Sequence, residues 1–121
     1  MLAYTCIGVN DKEKALPFYD AVFAELGGKR VFNNDRLQFW SNGQGPMIAV
    51  GSPYDGEAAH SGNGIMPALA APDRETVDKV YAAALAAGGS CDGEPGERMP
   101  TFYGAYFRDP EGNKMCVCKF G

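Results

Sequence analysis

Two stretches of the chain carry the same order of apolar and polar positions. Ala15, Phe18, Tyr19, Val22, Phe23 and Leu26 follow the i, i+3, i+4, i+7, i+8 spacing of one helix face, and Val77, Val80, Tyr81, Ala84, Leu85 and Gly88 repeat it. The two stripes lie at a constant offset of 62 residues, and six of the 25 positions aligned from Tyr4 and Met66 are identical. These identities pair Asp11 with Asp73, Glu13 with Glu75, Tyr19 with Tyr81, Ala21 with Ala83, Ala24 with Ala86 and Gly27 with Gly89. Solenoid repeats run to about 50 residues, so this longer period points to one duplication and two fused modules, not to an array.

Each copy reads as a strand, a helix and three strands. Residues 2–9 form the first strand, Asn10 is the expected N-cap with Glu13 completing a capping box, and the helix runs to about Leu26 before Gly27-Gly28. Pro17 falls inside that helix, which predicts a kink near Glu13. Strands follow near 29–33, 36–41 and 46–51, divided by Asn33-Asn34-Asp35 and Asn42-Gly43-Gln44-Gly45. In the second copy a strand over 65–71 precedes a helix capped by Asp73 and stopped by Gly88-Gly89. A weak strand near Ser90-Cys91, a loop over 92–97, and a hairpin of 101–108 with 114–120 complete it. The expected organisation is a single domain with modules over 1–51 and 64–121, joined by a turn-rich linker over 52–63.

Composition narrows the function classes. At 121 residues, 45% of them apolar, the chain suffices for one real core. A net charge of −4 without a basic stripe argues against nucleic acid and anionic membrane as partners. The sequence shows no long apolar run and no secretory leader pattern, so a cytoplasmic location is expected, with Cys6, Cys91, Cys116 and Cys118 as reduced thiols.

The doubled strand-helix-strand pattern, Val9-Asn10-Asp11 at the first strand-to-helix junction, Phe18-Tyr19 on the first helix, and Arg108-Asp109-Pro110-Glu111-Gly112-Asn113 before the last strand together resemble the vicinal oxygen chelate superfamily. That group includes glyoxalase I, extradiol dioxygenases, fosfomycin-resistance enzymes and bleomycin-binding proteins. The resemblance covers essentially the whole chain and implies an α+β fold of two tandem βαβββ modules. It further implies a curved half-barrel sheet with helices on the convex face, a ligand on the concave face, and a homodimer.

Strand alternation assigns the inward positions. Tyr4, Cys6 and Gly8 face in from the first strand, Met66, Ala68 and Ala70 from its duplicate, and Cys116 and Cys118 from the last strand, with Ala49 matching Cys116. Metal-using members of the superfamily carry histidine, glutamate or glutamine at the positions that align here with Tyr4, Ala49, Met66 and Cys116. Those residues do not make the carboxylate and imidazole set that a hard divalent ion needs, so neither a metal nor any other cofactor is expected. His60, the one histidine, reads as a linker residue, since no orienting partner follows from the sequence.

The remaining inward candidates describe a pocket. Tyr4, Gln38, Trp40, Met47, Met66, Cys116 and one or both of Tyr103 and Tyr106 would give aromatic and apolar walls with a few polar handles. The expected function is metal-independent binding of a small organic molecule. The alternatives are a glyoxalase-like lyase or another metal-dependent or Tyr/Cys-dependent enzyme of the superfamily, and a subunit that acts through protein association.

Overall fold

The computed structural model of the chain describes residues 1–121. Its elements run β1 (Tyr4–Gly8), α1 (Lys12–Ala24), β2 (Lys29–Asn33), β3 (Leu37–Ser41), β4 (Met47–Gly51), β5 (Ala68–Ala70), α2 (Arg74–Ala86), β6 (Ser90–Met99), β7 (Phe102–Arg108) and β8 (Lys114–Phe120). They form an α+β fold of two βαβββ units and two open four-stranded sheets, in the orders β1-β4-β3-β2 and β5-β8-β7-β6. In each sheet the first strand pairs in parallel with the last and every other pairing is antiparallel. No helix is long and apolar enough to cross a membrane.

The repeated stripe is the reason for this arrangement. Ala15, Phe18, Tyr19 and Val22 of α1 and Val77, Val80 and Ala84 of α2 have no measurable exposure. They meet Ile7, Trp40 and Val50 from the first sheet and Leu69, Ala105, Phe107, Met115 and Val117 from the second in one continuous core. A sheet buries alternate residues on one face, so the other face of each sheet is left free of this core.

Helix boundaries follow local chemistry, with one correction. Asp11, not Asn10, caps α1 and accepts from the Lys14 amide, and Asp73 caps α2 by accepting from Thr76. Asn10 is diverted to the linker, where its side chain donates to the Ala59 carbonyl and accepts from the Ala59 amide. A residue held by a tertiary contact is lost to capping, and its neighbour takes the role. Helix α1 continues through Pro17. Both helices end on a glycine with positive φ, Gly27 at 76° and Gly88 at 104°.

A second correction concerns 92–97, which is strand, not loop. β6 runs ten residues and keeps its pairing with β7 through register shifts at Cys91/Gly93, Gly93/Gly96 and Glu97/Met99. Bulges absorb the glycines and proline that read as turn formers.

The Asp109-Pro110-Glu111-Gly112-Asn113 turn clamps the two halves together. Asp109 is 3% exposed. One of its oxygens accepts from the Glu111 and Asn113 amides, and the other from the Tyr19 hydroxyl at 2.7 Å and the Asn113 amide side chain at 2.8 Å. Asn113 also donates to the Gly8 carbonyl, and the Glu111 carboxylate accepts from the Asn10 and Asp11 amides. The most distinctive sequence motif thus ties the last hairpin to the β1–α1 junction.

Candidate functional site

The free face of the first sheet is built from cross-strand neighbours. Register pairs Tyr4 with Met47, Cys6 with Ala49, and Ala49 with Phe39. Tyr4 meets Phe39 edge to face at 5.2 Å between ring centroids, and Phe32 stacks on Phe39 at 4.4 Å. A bulge between Arg30 and Phe32 sets Phe32 opposite Phe39. Leu37, Phe39 and Ala49 form a small buried cluster with Met47 against it, while Tyr4 stays 47% and Phe32 53% exposed.

The second sheet places Tyr106 between Gly93 and Cys116, Gly104 opposite Cys118, and Phe102 opposite Phe120. Ala68 and Ala70 pair with Cys116 and Cys118 along β5. Met66, just ahead of β5, is 39% exposed. Burial, then the neighbouring Cys118, pushes the Cys116 thiol up to about 12. Burial, followed by the charge of Cys116, also raises the Tyr106 hydroxyl, against a lowering effect of Arg98.

The expected inward residues therefore divide. Tyr4, Met47, Tyr106 and Cys116 lie on the free faces. Trp40 does not: it is 2% exposed in the shared core, within 5.4 Å of the Phe23 ring centre, and its indole N–H donates to Asp20. Gln38 pairs with core residue Val50 and donates to the Phe32 and Phe39 carbonyls. Tyr103 donates to Asp78 of α2, which raises the pKa of its hydroxyl, and Arg74 lies over its ring. The three are on helix-facing positions because a side chain shares the face of its cross-strand partner. Phe32 and Phe39 take the inward places in the first sheet.

Two cavities are present, the larger on the helix side of the sheets. One of about 200 Å³ lies at the end of α1 among Phe23, Leu26, Trp40, Ile48 and the β5 strand. The other, about 90 Å³, is lined by Cys6, His60, Asn113 and Lys114 among others, with no carboxylate to orient the imidazole.

The four positions aligned with metal ligands hold Tyr4, Ala49, Met66 and Cys116. Alanine and methionine offer no hard donor, and a thiol with its pKa near 12 is protonated at neutral pH. No three His, Cys, Asp or Glu side chains converge on a point that could hold an ion. The residues do not fit the divalent metal of the chelating relatives.

The whole-chain comparison decides the family. A sequence model of the glyoxalase/bleomycin resistance protein/dioxygenase superfamily matches residues 1–117. The chain belongs to this superfamily. A glyoxalase/bleomycin resistance protein from Albidiferax ferrireducens is 37% identical, with 98% of this chain and 97% of that one covered and a TM-score of 0.88. A family enzyme from Burkholderia phytofirmans shares the fold at 23% identity and TM-score 0.80, covering 98% of both chains. A lactoylglutathione lyase from Agrobacterium tumefaciens is 25% identical over 98% of this chain and 92% of its own, with TM-score 0.69. No curated protein sequence matches.

Proposed function

We propose that this superfamily member binds a small organic molecule on the free faces of its sheets without a metal, as a cytoplasmic homodimer. The observation that carries this reading is the residues at the four aligned positions: Tyr4 and Ala49 beside Phe32, Phe39 and Met47 on the first sheet, Cys116 beside Tyr106 on the second, and Met66 just ahead of β5. Such a surface recognises shape and apolar area, with few polar handles. Catalysis by Cys116 as a base has less support, because its thiol holds its proton.

The same surface supports the dimer reading. Phe32, Tyr4, Met66, Met99 and Phe120 are all more than a third exposed. A chain of 12.9 kDa that leaves this much apolar side chain in water is stabilised by covering it. Sedimentation should give twice the chain mass.

One experiment tests the binding reading. Amide resonances of the isotopically labelled protein are followed while a library of neutral and charged fragments is added, with and without Ni²⁺ or Mn²⁺. Saturable shifts at residues 4–6, 37–39, 104–106 and 116–118, unchanged by metal or chelator, support it. Absence of any fragment shift there, or binding that needs the ion, overturns it.

A further inference from the structure

The free face of the second sheet carries more positive charge than its carboxylates balance. Arg98 lies over the Tyr106 ring, its guanidinium carbon 5.3 Å from the centroid, and Lys114 approaches the same ring with its ammonium at 5.5 Å. Arg108 is the third cation, and it shares one Asp92 oxygen with Lys114, at 3.3 Å and 3.4 Å respectively. Arg98 meets no carboxylate. Of the acids beside it on β6, Glu97 pairs instead with Arg74 of α2. Asp92 is thus the one carboxylate paired with these three cations, on a chain whose net charge is −4.

The strand beneath Arg98 is shaped to hold its guanidinium flat. Its Nη1 donates to the Gly96 carbonyl at 2.9 Å and its Nη2 to the Glu94 carbonyl at 2.7 Å. A Cβ on Gly96 would stand 2.9 Å from Nη1, and one on Gly93 would stand 3.3 Å from Nη2 and 2.9 Å from the Tyr106 ring. A side chain at Gly96 would crowd the guanidinium, and one at Gly93 would crowd the Tyr106 ring beneath it. A guanidinium has five N–H donors, so about three remain for a ligand in a fork that matches a carboxylate. Next to it the face is neutral and apolar, with bare Gly104 and the paired rings of Phe102 and Phe120, the latter 67% exposed.

We propose that Arg98, with Lys114 beside the same Tyr106 ring, binds the carboxylate of a small organic acid whose apolar body lies along Phe102 and Phe120. This inference rests on the free faces being the ligand-binding surface. It assigns the anchor and the charge of the ligand. An inorganic anion would engage the cations and leave the apolar strip unused, so the class expected is an amphipathic monocarboxylate.

The test uses phenylacetate, its neutral isostere phenylacetamide, and inorganic phosphate, each titrated into the labelled full-length protein. Phenylacetate should shift amides 93–98, 102–107 and 114–120 and bind about tenfold or more tighter than phenylacetamide, the ratio expected for one charge-assisted pair. Added salt should weaken the carboxylate and leave the amide unchanged. Arg98→Gln should remove that advantage and Lys114→Gln reduce it, while Lys79→Gln, on the exposed flank of α2, keeps it. Gly96→Ala retains every charge but pushes the guanidinium aside, and should weaken phenylacetate without altering phenylacetamide. Equal affinity for the acid and the amide, phosphate binding at least as tight as phenylacetate, or an Arg98→Gln variant that still prefers the acid each overturns the proposal. Under the last outcome Arg98 is only a tether for its own strand. If neutral fragments bind the free faces while phenylacetate does not, the anionic ligand falls and the binding reading stands; if no fragment binds there, both fall.

Discussion

Replacing Tyr19 by Phe removes the one hydroxyl that joins α1 to the buried turn of the second unit. The Tyr19 hydroxyl donates to Asp109 at 2.7 Å, and Asp109 keeps three other donors, the Glu111 and Asn113 amides and the Asn113 side chain. The variant therefore loses a single hydrogen bond to a carboxylate and leaves no orphaned partner, which costs about 2 kcal/mol. For a chain of this size the loss should lower Tm by roughly 6–12 °C. The same contact has a pH signature. Burial first, and then the Asp109 charge, raise the Tyr19 hydroxyl well above its ordinary value of 10.0. Above pH ~10 the unfolded chain releases this proton and the native chain keeps it, so the native state binds more protons and stability falls as pH rises. The slope for this one group is about 1.4 kcal/mol per pH unit. Tyr81, Tyr103 and Tyr106 are raised as well, but they are present in both proteins and cancel in the difference. Urea unfolding followed by Trp40 fluorescence should thus show the variant about 2 kcal/mol weaker at neutral pH, with the gap closing towards about pH 11.5. A neutral-pH difference below about 0.5 kcal/mol, or one that does not change with pH, would refute the clamp.

Two further outcomes follow from single residues. Cys6 and Cys91 are exposed and Cys116 and Cys118 buried, so a thiol-disulfide reagent at neutral pH should titrate two thiols of the native chain quickly and all four after denaturation. Rapid reaction of a third native thiol would contradict the protonated, enclosed Cys116. A Cβ at Gly51 would fall inside the Arg36 carbonyl oxygen. Gly51→Ala should therefore cost about 3 kcal/mol or more, and a thermal melt close to that of the parent would show that β3 and β4 can separate.

The fold was legible because both units repeat one physical solution. The helix stripe, the glycines at 27 and 88 and the Asp73 cap each appear in the sequence where the structure uses them. What local pattern missed was decided by tertiary contacts. Nothing near Asn10 in the chain announces that Ala59 will occupy its side chain. Likewise 92–97 is rich in glycine, proline and acid, yet the long partner strand β7 holds it extended through three bulges. Pairing outweighed a composition that favours turns.

The site shows where a stronger use of the sequence was available. Alternation alone left Tyr103 and Tyr106 undecided, and misplaced Gln38 and Trp40. A hairpin adds a second constraint, because its strands are mirrored about the turn centre. About Glu111 the pairing sets Tyr106 opposite Cys116, and about Gln44 it sets Phe39 opposite Ala49. Once Cys116 and Ala49 are known to face away from the helices, Tyr106 and Phe39 must do so too, and Tyr103, Gln38 and Trp40 must face the core. Arg98 lay beyond that reach. Its place over Tyr106 depends on bulges at Gly93 and Gly96 that shift the face of β6, and on two bare positions that make room for a guanidinium.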